Sequence, residues 1–204
     1  MITYECWTRQ RIHMERPFIE EEQFQGKDFT EKPLQQGDYE ACSFRGCDFS
    51  NSELSGSRFI DCKFEECNLS NAKLIKTSFQ DVAFSSCKML GLRFENCNDL
   101  GFSVRFRSCQ LDHCSFYQLR LSKCSFSNSK IHGADFSGTN LKEATFDECD
   151  LLDSTFESCM LEKADFRGAF NYSIDPELNQ LKGARFSTAG LGGLLGKYGI
   201  RIEA

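Results

Sequence analysis

The chain has 204 residues and a net charge of −6, from 24 Lys and Arg against 30 Asp and Glu. This length fits one domain or at most a small pair. The acidic balance argues against direct nucleic-acid binding, which usually needs a basic face. Because no apolar run reaches about 18 residues, we expect no membrane span.

Residues 1–22 are polar at their start and lack the apolar core of a signal peptide. We therefore expect a cytoplasmic protein. The segment also lacks the period that dominates the rest of the chain. We predict that it forms an N-terminal cap on the repeat structure that follows.

An apolar residue recurs at every fifth position from Phe24. Fifteen such centres run to Phe94, the register slips by two residues around Asp99, and thirteen more centres run from Phe106 to Phe166. Sixteen of the 20 Phe residues occupy centres. The position two before a centre, or its in-register equivalent, is small and holds 11 of the 12 Cys residues, leaving only Cys6.

A period of five fits neither an α-helix nor a simple strand, but it fits a chain that turns one corner per repeat. Two inward residues per repeat, one large and one small, would fill a shared core. Four corners close one coil, so each coil takes four repeats and the 28 centres predict about seven coils. The sequence therefore predicts an all-β, right-handed, four-sided β-helix. In its second half, Phe columns through Phe106 and Phe116 would face each other, between aliphatic columns through Leu111 and Leu121.

The period fails after Phe166. We predict one domain over 1–204, in which residues 23–170 form the β-helix and residues 171–204 a C-terminal cap. A further repeat is expected at 183–187, followed by a short Gly-containing helix. The apolar residues of this end could cover the last coil, join two subunits, or do both: Leu191, Leu194, Leu195, Tyr198, Ile200 and Ile202.

Cysteine and histidine often serve as catalytic residues or metal ligands, but in this chain they have simpler structural interpretations. Pairs such as Cys62 and Cys67 could suggest zinc, but a five-residue step points them at different faces, where Cys acts as a small core residue. His113 and His132 fall in outward slots, and no nucleophile–base arrangement can be assembled around them. We therefore expect no catalytic residue, no metal and no cofactor.

The acidic residues are the strongest candidates for a functional surface. Residues 140–170 hold eight of them against three basic residues, all in outward slots. They could simply keep the surface soluble, or they could offer negative charge to a basic, DNA-binding groove. The eight are Glu143, Asp147, Glu148, Asp150, Asp153, Glu157, Glu162 and Asp165.

The five-residue pattern resembles the pentapeptide-repeat family, as in residues 134–138 (ADFSG) and 164–168 (ADFRG). Residues 87–91, 171–179 and 184–187 further resemble the topoisomerase-protecting branch. That branch contains the Qnr quinolone-resistance proteins, the microcin immunity protein McbG and the albicidin-resistance proteins.

This resemblance implies a rod-shaped homodimer joined at its C-terminal ends. It also implies an acidic, DNA-mimicking surface that engages DNA gyrase or topoisomerase IV. In Qnr proteins, projecting loops contribute to protection, whereas the interruption here, at residues 98–103, is too short for a large loop. Two hypotheses follow: a non-enzymatic protector or modulator of a type II topoisomerase, or an acidic protein-interaction rod with another partner. An enzyme is a distant third.

Overall fold

The computed structural model describes residues 16–200, so Cys6, His13 and Ile202 lie outside the described part. Its strands are β1 Phe18–Glu20, β2 Gln23–Gln25, β3 Asp38–Glu40, β4 Ser43–Arg45, β5 Arg58–Ile60, β6 Lys63–Glu65, β7 Ser78–Gln80, β8 Val82–Ser85, β9 Val104–Arg107, β10 Ser125–Ser127 and β11 Thr145–Asp147. Three 3-10 helices cover Phe94–Asn96, Thr188–Leu194 and Gly196–Tyr198.

The strands form two parallel sheets on two sides of a solenoid, as the predicted fold class requires. One sheet has the order β1-β3-β5-β7, and the other runs through seven strands from β2 to β11. Isolated parallel bridges such as Lys130 to Asp150 and Asp135 to Thr155 link the coils on the other sides. Almost all pairings join a residue to its counterpart four repeats later, as they do for strands β10 and β11, so one coil consists of four repeats.

We number the four sides by the centre that each carries. Face 1 carries Phe106 and the seven-stranded sheet, face 2 carries Leu111, face 3 carries Phe116, and face 4 carries Leu121. The four-stranded sheet lies on face 4 of the N-terminal coils and begins at Phe18. The coil structure therefore already includes part of the segment predicted as an N-terminal cap.

The corners form where the residue two after a centre takes a left-handed conformation. Twenty non-glycine residues within the range 16–200 have positive φ, nearly all of them in this slot, including Asn51 at 56° and Lys123 at 63°. This conformation costs an L-residue about 1–2 kcal/mol. The coil ladder offsets that cost, since the corner amide donates to the next coil, as Asn51 N does to the Ser70 carbonyl at 2.9 Å.

The core is a continuous stack of side chains from the centres. In the second half, Phe126 lies parallel to Phe146 at 4.8 Å between ring centroids, and it meets Phe136 edge-on at 6.0 Å. Both are preferred aromatic geometries. The predicted pair of facing Phe columns is therefore confirmed, and the filled interior explains why Phe is so abundant.

All eleven cysteines in the described residues are buried and free. Their thiols also make hydrogen bonds: Cys62 Sγ donates to the carbonyls of Tyr39 at 3.3 Å and Ile60 at 3.4 Å. Thr139 Oγ1 makes the equivalent bond to Phe116 O at 2.8 Å. Burial raises the pKa of the Cys62 thiol to about 12. A thiol in this slot is a small core residue that also satisfies a backbone carbonyl of the preceding coil.

The two-residue slip lies between β8 and β9. Val82 pairs with Val104, which is two positions beyond the partner that the regular coil would provide. Leu100 projects into solvent with 76% of its surface exposed, whereas Phe102 packs inward, edge-on to Phe79 at 6.3 Å and Phe94 at 6.2 Å. The extra residues thus form a small bulge with an aromatic anchor, and no large projecting loop.

The first residues of the C-terminal cap extend the core, and the residues after them cover its end. Phe186 stacks on Phe166 at 5.4 Å, which confirms the additional repeat. The helical segment beyond it is 3-10 rather than α-helical. It packs so closely that a side chain on Gly193 would overlap Tyr172. The Gly193 carbonyl accepts from Ile174 N at 2.9 Å.

Candidate functional site

The eight predicted acidic residues all lie on the outside, but they are spread over every face. Asp147 and Asp165 belong to face 1, Asp150 to face 2, Glu157 to face 3 and Glu162 to face 4. The other three occupy left-handed corners with φ of 59°, 50° and 57°, and they are Glu143, Glu148 and Asp153. Their charge does not form one stripe along the rod.

Three of these carboxylates form ion pairs with Lys or Arg, and a fourth, Asp150, contacts a histidine. Glu162 lies 2.8 Å from Lys142 Nζ, and Glu143 lies 3.9 Å from Lys163 Nζ. Asp165 binds Arg167 at 2.8 Å and holds a second guanidinium, that of Arg185, at 2.9 Å. The Arg167 hydrogen bond is the main reason why the Asp165 pKa lies below its ordinary value.

Asp150 belongs to a column of polar residues on face 2. His132 Nε2 lies 2.7 Å from Asp150 Oδ2, and on its other side His132 Nδ1 lies 3.8 Å from Asp112. Burial raises the pKa of the Asp150 carboxyl, but hydrogen bonds from His132 and Asn171 lower it by more. His132 therefore sits between carboxylates of adjacent coils, which is a structural role rather than an acid–base arrangement.

The other four acidic residues have no ion pair among residues 16–200. They are Asp147, Glu148, Asp153 and Glu157, and they follow one another along a single coil from face 1 round to face 3. We call these four residues the acidic arc. It runs around the rod, perpendicular to the rod axis. All four residues are exposed.

One end of the acidic arc borders a surface groove on face 1. The groove has a volume of about 550 Å³ and opens over the strands β10 and β11. Asp147 lines it together with Asp165, Arg167, Ser125 and Ser127. Both signs of charge meet in this groove, so it offers polar contacts without a strong preference for a cation or an anion.

The predicted C-terminal apolar residues divide into two groups. Leu194 packs against the core, and Leu195 is half-buried. Leu191, Tyr198 and Ile200 are exposed, at 44%, 58% and 57%. The predicted residues therefore include both a cap and an exposed apolar surface at the end of the rod.

A lysine that the sequence did not single out fixes this end. Lys197 Nζ lies 2.8 Å from Asp175 and 2.7 Å from Glu177, and the Tyr198 hydroxyl donates to Glu177 at 3.2 Å. These bonds join the last 3-10 helix to the preceding loop. The sequence could have predicted this contact, because Lys197 follows the two acidic residues by about four repeats, which is the length of one coil.

Two further properties concern residues 16–200 alone. No cluster of three or more His, Cys, Asp or Glu side chains there is arranged to hold a metal ion. Nor does that part of the chain contain a helix with the length and hydropathy of a membrane span.

The coil of five-residue repeats and its filled core define a parallel β-solenoid. The family described as "Pentapeptide repeat region" matches residues 37–99 and 102–174, and the chain belongs to this family. The break between the two matched ranges falls within the slip.

Among solved structures, the chain is similar to two trypsin-treated variants of QnrB1, a plasmid-mediated fluoroquinolone resistance protein. One is 19% identical over 92% of this chain and 100% of that one, with a TM-score of 0.60. The other is 18% identical over 91% and 99%, with the same TM-score. These likenesses show the fold. A comparison with curated protein sequences finds no match.

Proposed function

We propose that the protein is a non-enzymatic, cytoplasmic binding protein that protects or modulates a type II topoisomerase, DNA gyrase or topoisomerase IV. The acidic arc carries this proposal, because its four carboxylates have no ion pair among the described residues and remain available to a cationic partner. The similarity to QnrB1, whose own description is fluoroquinolone resistance, supports the choice of partner class. Charge complementarity would steer the association and make it sensitive to salt.

The direct test is a gyrase supercoiling assay with and without a fluoroquinolone. We expect the purified protein to restore supercoiling in the presence of the drug, or to inhibit it in the absence of the drug. A variant with Asp147→Asn, Glu148→Gln, Asp153→Asn and Glu157→Gln should lose this effect. No rescue and no inhibition by the wild type at micromolar concentrations would exclude gyrase.

A matched control removes the same charge from the first half of the rod. Glu31, Glu40, Asp61 and Glu65 also lack an ion pair among the described residues, and their replacement by amides changes the net charge equally. This variant should retain the effect on gyrase. If both variants lose it, the interaction depends on net charge and not on the acidic arc.

The direction of the acidic arc favours a second candidate, a protein-interaction rod with another partner. A surface that imitates duplex DNA needs negative charge repeated along its length, whereas the acidic arc crosses the axis of this rod. A pull-down that recovers one defined protein, and no topoisomerase subunit, would support this candidate. If the acidic arc variant no longer captures that protein, the acidic arc is the surface that binds it.

We also propose a homodimer through the C-terminal end, where Leu191, Tyr198 and Ile200 expose apolar surface near one another in sequence. Leu191→Asp should shift light-scattering mass from dimer to monomer. Leu100→Asp is the control, since Leu100 is a still more exposed leucine in the slip. A wild type that is monomeric at high concentration would contradict this interface.

A further inference from the structure

A cavity lies beside the slip, at the edge between face 4 and face 1. Its volume is about 400 Å³, and it spans coils on both sides of the extra residues. A pocket of about 430 Å³ lies at the same edge in the regular C-terminal coils, lined by residues that include Glu143, Lys163 and Arg185. At the slip, strands β8 and β9 stay paired, with Val82 opposite Val104. The cavity beside the slip is distinguished by its lining, which includes Phe102 and Ser103 from the interruption itself.

Three basic side chains converge on this cavity: Arg105 from strand β9, and Arg120 and Lys123 from the next coil. None of the three forms an ion pair or a side-chain hydrogen bond with another residue of the range 16–200. All three belong to exposed residues. Their positive charges are therefore not offset by a neighbouring carboxylate, unlike those of Lys142 and Arg185.

The cavity contains one carboxylate, that of Asp81. Ser103 Oγ donates to Asp81 Oδ1 at 3.0 Å, which occupies one of its oxygens. Ser122 adds a second hydroxyl to the lining. The local charge is therefore +3 from the basic residues and −1 from Asp81, a balance of +2, with the Ser122 hydroxyl as an additional donor.

The remaining lining is apolar. Phe102 is half-buried, and the cavity also includes the buried residues Val82, Val104 and Leu121. A site with several cations beside an apolar floor suits a multiply charged oxyanion attached to an apolar group. Two guanidinium groups are especially suited to phosphate, because their planar donors match its oxygens.

We propose that this cavity binds a small phosphate monoester, with Arg105, Arg120 and Lys123 holding the phosphate and Phe102 contacting the organic group. The site is separate from the acidic arc and from the C-terminal end. It does not depend on the topoisomerase proposal, so either can fail alone. Its charge is opposite to that of the acidic arc, which gives the rod two surfaces for unlike ligands.

Isothermal titration calorimetry at low salt, with phenyl phosphate as the probe, tests the site. We expect the wild type to bind phenyl phosphate more tightly than inorganic phosphate or benzoate. Arg105→Gln and Arg120→Gln should each raise the Kd about tenfold, since each removes charge-assisted hydrogen bonds. Arg107→Gln is the control: Arg107 lies on the same strand and also lacks an ion pair among the described residues, but it does not line the cavity.

Three results would overturn the proposal. One is no binding by the wild type at millimolar phenyl phosphate. Another is equal weakening by Arg107→Gln, which would indicate a general charge effect. The third is tighter binding of a DNA duplex that the Arg105 and Arg120 variants abolish, which would assign the residues to a nucleic-acid backbone.

Wild-type protein alone gives a second measurement that needs no variant. In methyl NMR, phenyl phosphate should shift the signals of Val82 and Val104, which line the cavity, and leave those of Ile131 and Leu151 unchanged. Shifts confined to methyl groups outside the cavity would also overturn the proposal.

Discussion

The coils before the slip and the coils after it fill their interiors with two different arrangements of aromatic side chains. In the N-terminal coils, aromatic columns lie on adjacent faces: Phe44 and Phe64 on face 1 contact Phe59 on face 4, at 5.9 and 5.4 Å. In the C-terminal coils they lie on opposite faces, as for Phe126 and Phe136. The five-residue period therefore determines which side chains point inward, but it leaves open which faces carry the rings.

The slip is the place where one packing changes into the other. Phe79 ends the aromatic column on face 4, and Phe94 begins the column on face 3 by stacking on Phe116 at 4.9 Å. Phe102 contacts both Phe79 and Phe94 edge-on. Phe102 comes from the slip itself, so the interruption supplies the aromatic side chain that connects the two packings.

The largest expected effect is on this junction. Phe94→Ala should destabilise the protein by about 3–5 kcal/mol, as for other buried Phe residues, and separate urea unfolding into two transitions, because Phe94 links the two packings. Phe136→Ala, equally buried inside a regular column, should cost a similar amount while keeping one transition. A single transition in both variants, followed by circular dichroism, would contradict the junction role.

Gly193→Ala should have the next largest effect, and only at the C-terminal end. The new methyl group would overlap the carbonyl and ring of Tyr172, at a cost of about 1–3 kcal/mol. Hydrogen exchange should therefore accelerate in residues 171–200 and remain unchanged in the N-terminal coils. Gly196→Ala is the control, because a side chain there would meet only Ser173 Oγ at 3.7 Å.

Acid should weaken the C-terminal region more than the N-terminal coils. The pKa values of Asp165 and Asp175 lie below their ordinary values, chiefly because Arg167 and Lys197 donate hydrogen bonds to them. A lowered pKa in the folded state stabilises the fold above the unfolded pKa of about 4, and this contribution is lost as the pH falls through the folded pKa. Hydrogen exchange below about pH 4 measures it.

The control for this prediction is Asp165→Asn, which should remove part of the extra acid sensitivity of the last coils. Equal acceleration of exchange in both halves, with or without this substitution, would show that the ion pairs contribute nothing measurable.

The smallest effect is expected at an open corner of the N-terminal coils. Gly46 has φ of 59° with no atom near a prospective side chain. Gly46→Ala should therefore cost only the left-handed strain, about 1 kcal/mol, measured by thermal unfolding. Ala41→Gly, at a corner with φ of 52°, should show little loss or a slight gain. A large loss at Gly46 would mean that this corner tolerates a side chain less well than the corners that already carry one.

The sequence predicted the inward residues well, because a buried Phe every fifth position has few structural explanations. It also located the slip, and it placed Phe186 in an additional repeat. It did not predict the change of aromatic face at Phe94, since a centre is apolar on any face. Nor could it show that Asp165 is ion-paired while Asp147 has no such partner in the described part of the chain, because that depends on how side chains of neighbouring coils meet at the surface.

The small inward slot has a consequence for how this molecule could change its length. The bonds from Cys62 to Tyr39 and from Thr139 to Phe116 have the same spacing along the chain, and neither depends on where along the rod it occurs. One coil is therefore an interchangeable module. Duplicating or deleting four repeats within the second half would lengthen or shorten the rod by about 4.8 Å and keep the core columns and the backbone ladder in register. The distance between the two ends of the rod can thus change in fixed steps of one coil.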